Sequence, residues 1–108
     1  MTPKELQNML GISGNRIKYF KRKGLFIPEN PTKESVATNY TQKDYDRLRK
    51  LAILTNAGLT CGDISSIETG ERSFEEVVMA RIELNQQEIV MRQKCIVSLR
   101  QLIERTSV

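Results

Sequence analysis

The 108-residue sequence contains no histidine. That absence removes the commonest general base and the commonest metal ligand together. Only two cysteines occur, Cys61 and Cys95, and no CxxC pair is present. Isolated cysteines of this kind read as small buried hydrophobes rather than as a disulfide or a metal site. No apolar run is long enough to span a bilayer, and the N-terminus has no signal-peptide stretch, so a cytosolic (cytoplasmic) protein with no membrane partner is expected. Glycine-rich phosphate loops and catalytic triads are also missing. The acidic pair Glu75-Glu76 stands at a helix start, where the helix dipole accounts for it without catalysis. An enzyme is therefore the least favoured reading, and no cofactor and no metal are expected.

What is present is a charge asymmetry. Residues 1–50 hold eleven Lys/Arg against five Asp/Glu, a net of +6, while residues 51–108 hold six against eight, a net of −2. A basic head on a near-neutral body suits a polyanion partner, although charge alone does not separate nucleic acid from a solvated surface.

Helix signals are dense. Thr2-Pro3-Lys4-Glu5 announces a first helix, with Leu6, Met9 and Leu10 as its buried stripe and Gly11 as its stop. Ser13 can cap a second helix running to Gly24, with Ile17 and Phe20 facing the core. Two helices joined by a short glycine-containing turn fit a helix-turn-helix. Asn15, Lys18, Tyr19 and Arg22 share another face of the second helix, three and four apart. An amide, a phenol and cations suit phosphate and base-edge contacts, and Asn15 and Arg16 sit in the first turn, from which base edges are reached. The competing view is a plain solvated helix surface.

Between Leu25 and Thr41 the pattern is irregular. Phe26-Ile27 and Val36 to Tyr40 could pair as a short β-hairpin, the size of a wing, or form an ordinary surface loop. Thr41 with Asp44 opens a third helix carrying Tyr45, Leu48, Leu51, Ala52 and Leu54, and Thr60 with Asp63 opens a fourth carrying Ile64 and Ile67. From Ser73 to Arg105 there is neither proline nor glycine. Ile82, Ile89, Ile96 and Ile103 recur every seven residues, and the companion seam position is Val78, Asn85, Arg92 and Leu99. Leu84, Met91, Cys95 and Leu102 broaden the stripe. A stripe of about 30 residues spans roughly 45 Å and overreaches a small head, which favours a coiled coil with a second copy over folding back as a monomer.

The expected fold is mainly α. Residues 1–71 form a winged helix-turn-helix head with a short β-hairpin wing, and residues 72–108 form a long dimerisation helix. In this order the elements resemble the MerR family of bacterial transcriptional regulators, in a short form without a separate effector domain. The match is carried by Pro3-Lys4-Glu5-Leu6, Leu10-Gly11-Ile12-Ser13, the run Arg16 to Phe26, Tyr40 to Asp44, Leu48, Leu51, Ala57-Gly58-Leu59-Thr60 and Ile64. The resemblance implies a homodimer with antiparallel long helices on a palindromic promoter, twisting the DNA to activate transcription, with RNA polymerase as a further partner. By position it implies phosphate contacts from Lys18 and Tyr19, while Phe20 replaces a tyrosine. The candidate DNA-binding residues are Ser13, Asn15, Arg16, Lys18, Tyr19, Arg22, Lys33, Thr38, Asn39 and Tyr40. The candidate dimerisation residues are Ile82, Asn85, Ile89, Arg92, Ile96, Leu99 and Ile103.

Three departures stand out. The wing reads Ala37-Thr38-Asn39-Tyr40, without the family's arginine, and Gly62 sits at the start of the fourth helix. The sequence ends at Val108, directly after the dimer helix, so neither an effector domain nor a metal-sensing cysteine loop is expected. Two other functions compete: an architectural, excisionase-like factor that bends DNA in a mobile element, and an adaptor whose basic helix binds an acidic protein. Dependence on promoter spacing separates the first from a regulator, and the salt dependence of duplex binding separates the second.

Overall fold

The computed structural model describes residues 1–30 and 39–106. Its elements are five helices in chain order: α1 (Pro3–Leu10), α2 (Gly14–Arg22), α3 (Gln42–Asn56), α4 (Cys61–Glu68) and α5 (Phe74–Thr106). They fall into two compact units, Met1–Glu71 and Arg72–Val108. No described helix is long and apolar enough to cross a membrane.

Each start follows from local chemistry. The Thr2 and Ser13 hydroxyls accept the backbone N–H groups of Glu5 and Arg16, both at 3.2 Å. Thr41 with Asp44, and Thr60 with Asp63, form reciprocal capping boxes, so Gly62 does not disturb the start of α4. The Ser73 hydroxyl accepts from the N–H of Glu76 at 3.1 Å at the head of α5. Gly11 ends α1 at φ +66°, a left-handed conformation that strains any residue with a Cβ. Gly14 serves a different purpose, because a Cβ there would meet the Gln7 side chain at 3.1 Å. The turn between α1 and α2 is tight for both reasons.

The core of the first unit is built from Leu6, Ile12, Ile17, Phe20, Leu25, Phe26, Tyr40, Leu48, Leu51, Ala52, Leu59 and Ile64, all buried. Helix α1 packs on α3. Asp44 is the buried charge of this core, and both its oxygens are used. One accepts the Glu29 N–H at 3.1 Å and the other the Thr41 N–H at 3.0 Å, which ties the segment after α2 to the head of α3. Arg47 adds a second tie, donating from Nε to the Leu25 carbonyl at 2.9 Å and pairing with Glu68 of α4 at 2.7 Å.

Several expectations need correction. Among the described residues there is no strand, so the β-hairpin wing is not seen. Phe26-Ile27 and Asn39-Tyr40 are irregular, and Val36 to Thr38 lie outside the described residues. The reason lies in where the backbone groups go. The Phe26 N–H bonds back to the Phe20 carbonyl at the end of α2, and the Tyr40 N–H bonds to the Met1 carbonyl at 2.8 Å. Ile27, meant as a strand residue, is 80% exposed. Met9 is exposed as well, since an eight-residue helix turns only a narrow stripe inward and Leu6 occupies it. Cys61 and Cys95 are free thiols, half-buried and exposed respectively, so neither is the buried hydrophobe expected.

Candidate nucleic-acid interface

Helix α2 sets the candidate surface. Its nine residues contain no acid, and Lys21 and Arg22 lie in its last turn, where the negative end of the helix dipole favours cations. Ile17 and Phe20 anchor it in the core. The opposite side presents Asn15, Lys18, Tyr19 and Arg22 to solvent, all four exposed. The spacing that placed these four on one face is thus realised in space.

Tyr19 is the best-connected member. Arg22 and Lys23 stand over its ring at 5.8 and 5.6 Å from the centroid, and the ring leans on Phe20 at 6.3 Å. Hydrogen bonding to the Cys61 thiol, with a contribution from that thiol's charge, pushes the Tyr19 phenol above its ordinary range. The nearby Arg22 works in the opposite direction. Lys23 was not singled out from the sequence, although the run Lys21-Arg22-Lys23 carried the signal.

Arg16 is placed differently from the four exposed residues. It is half-buried, and its Nη2 donates to the Thr55 hydroxyl and, at 3.0 Å, to Asn56 Oδ1 at the end of α3. The Thr55 hydroxyl in turn donates to the Leu51 carbonyl at 2.8 Å. The Arg16 guanidinium also covers the Phe20 ring at 5.7 Å. Its cation therefore fastens α2 to α3. Ser13 is exposed, but its hydroxyl is engaged in capping α2.

The remaining expected residues divide. Tyr40 is buried, stacked near Phe26 at 6.1 Å, and its hydroxyl accepts from Lys21 Nζ at 3.2 Å. Tyr40 thus acts on the surface only by holding Lys21. The Asn39 side chain is exposed and accepts from the Met1 amino group at 2.9 Å. Lys33 and Thr38 lie outside the described residues. On α5, Ile82, Ile89, Ile96, Leu99 and Ile103 are all exposed large hydrophobics, and Asn85 and Arg92 are exposed between them. Among the described residues no three acidic, cysteine or histidine side chains group as metal ligands would.

Residues 1–71 match the family described as MerR HTH family regulatory protein. No curated protein sequence matches the chain. Among solved structures, the chain is similar to HiNmlR, described as a MerR family regulator lacking the sensor domain, bound to promoter DNA. That likeness has a TM-score of 0.55 at 21% identity, over 96% of this chain and 78% of the other, and at this identity it speaks to the fold.

Proposed function

Because the chain belongs to the MerR family of helix-turn-helix regulatory proteins, we propose that it is a sequence-specific DNA-binding transcription regulator, acting as a homodimer on a palindromic promoter site. The carrying observation is the acid-free, exposed face of α2, where Asn15, Lys18, Tyr19 and Arg22 stand together on a helix anchored by Ile17 and Phe20. A rigid helix offering cations, a phenol donor and one amide matches what a duplex groove presents. The promoter DNA bound by HiNmlR supports a duplex as the ligand.

The roles divide by position. Lys18, Tyr19 and Arg22, with Lys23 beside them, neutralise and hold backbone phosphates. Asn15, in the first turn of α2, is the residue placed to read a base, adenine being the usual partner of an asparagine amide. Arg16 is fastened to Thr55 and Asn56, and reading guanine would require giving up those bonds. We therefore assign it to setting the angle at which α2 is presented. Ser13 holds the start of the helix, and Tyr40 holds Lys21. Lys33 and Thr38 are proposed to grip the flanking backbone, with Asn39 contributing only its amide NH2, since its Oδ1 is taken by the amino group of Met1. The seam residues of α5 pair two copies, which places two α2 helices on the two halves of a palindrome. At the promoter, RNA polymerase is the proposed further partner.

Selection from random duplexes, followed by titration of the selected and scrambled sites at several salt concentrations, tests this function. A shared palindrome is expected, together with a linear fall of log affinity with log salt. Absence of any preferred sequence would overturn the regulator reading, and binding to acidic proteins with no duplex binding would overturn DNA as the ligand.

A further inference from the structure

The edge of α2 that turns towards residues 39 and 40 carries a cation outside the face of Asn15, Lys18, Tyr19 and Arg22. Lys21 is exposed and stands three residues after Lys18, so the two side chains are neighbours along the helix surface. Its Nζ donates to the Tyr40 hydroxyl at 3.2 Å and sits over the Tyr40 ring, 5.6 Å from the centroid. Tyr40 is itself fixed. Its ring is buried beside Phe26 at 6.1 Å, and its backbone N–H bonds to the Met1 carbonyl at 2.8 Å. A long, flexible side chain is thus held at its charged end by a residue of the core.

What holds Lys21 is neutral. An ammonium has three N–H donors, and Tyr40 takes one, which leaves two for a ligand. Among the described residues no carboxylate comes within ion-pair reach of Lys21, so its charge stays uncompensated. The negative end of the α2 dipole favours a cation in the last turn, but it would favour one pointing freely into solvent just as well. Tyr40 adds the direction. Fixing an exposed lysine on a ligand costs side-chain entropy, and a lysine already held by a hydroxyl and a ring has lost part of it before binding. An oriented, unpaired cation at the edge of an acid-free helix suits an oxygen of the phosphate backbone, not a base edge.

We infer that Lys21 is a further contact to the phosphate backbone of the duplex, at the edge of the α2 face, and that Tyr40 is the positioning residue that presents it. This rests on the DNA-binding reading. The test uses the full chain and titrates selected and scrambled duplexes at several salt concentrations. The variants are Lys21→Ala, Lys21→Arg, Tyr40→Phe and the double change of Lys21→Ala with Tyr40→Phe. Lys21→Ala should weaken both duplexes alike by about tenfold and reduce the salt slope by about one unit per subunit, while Lys21→Arg should keep the slope of the parent. Tyr40→Phe retains the buried ring and removes only the hydroxyl. It should weaken binding about threefold where Lys21 is present and change nothing further where Lys21 is alanine. A parent with no affinity for any duplex removes the DNA-binding reading itself. A parent that binds, beside a Lys21→Ala chain of equal affinity and slope, overturns the contact. Tyr40→Phe losses that are equal with and without Lys21, or no loss at all, overturn the positioning role.

Discussion

Arg16, in the first turn of α2, donates a 3.0 Å hydrogen bond to Asn56 at the last turn of α3, 40 residues along the chain. This bond, with the one to Thr55 beside it, joins the helix that offers the candidate interface to the longest helix of the first unit. It also separates two neighbours that sequence alone treats alike, Asn15 and Arg16.

Arg16→Ala is expected to lower stability by about 1 kcal/mol or more, since hydrogen bonds from a charged donor are lost. It should weaken binding to selected and scrambled duplexes together. Asn15→Ala should leave the melting temperature unchanged while narrowing the margin between the two duplexes by roughly 1–3 kcal/mol. Thermal melts and parallel titrations check this. The assignment is wrong if Arg16→Ala leaves stability intact and narrows the margin.

Lys18→Ala should act without regard to sequence. Its expected signature is a uniform loss of affinity and a salt slope reduced by about one unit per subunit. A slope equal to that of the parent would remove Lys18 from the phosphate contacts.

Replacing Ile89 and Ile96 with lysine puts two charges into the seam of α5, where both parent side chains are about half exposed in the single chain, at 57% and 48%. Light scattering should report a monomer, with the circular dichroism of the first unit's helices retained. Equal masses for parent and variant would show that this seam does not pair copies.

The effect of the Cys61 thiol on the Tyr19 phenol predicts a titration. With the thiol present the phenol ionises above its ordinary range, so Cys61→Ala should bring its transition to lower pH. Ultraviolet difference absorbance against Tyr19→Phe isolates the signal. An unmoved transition would exclude the thiol as its cause.

The hydrogen bond from Arg47 holds the Glu68 carboxyl below its usual range, against the opposing effect of burial, and the charges of Arg47 and Lys50 add to the lowering. The folded value lies below the unfolded one, so the stabilisation is complete above the unfolded value and fades as pH falls through the folded one. The pair is partly exposed, so about 0.2–1 kcal/mol is at stake. Chemical denaturation of Glu68→Gln should show that much less stability at neutral pH, and a smaller loss on acidification. Parallel curves for parent and variant at all pH values would deny the pair a role.

The helix starts were written into the order of the amino acids. Thr2, Ser13, Thr41, Thr60 and Ser73 each accept a backbone N–H three positions on, so every helix start was legible from residue type and spacing. Periodicity likewise put Asn15, Lys18, Tyr19 and Arg22 on one exposed face and picked out the isoleucines that stand exposed along α5. The tertiary structure decided which polar groups remained available. Arg16 is engaged by Thr55 and Asn56, Asn39 by the amino group of Met1, and Tyr40 is drawn into the core beside Phe26 while Met1 takes up its backbone groups. Those partners lie 38 to 40 residues apart for Arg16 and Met1. Local propensity carries no information about such pairings, because only the packing of one helix against another brings the two ends within hydrogen-bond reach.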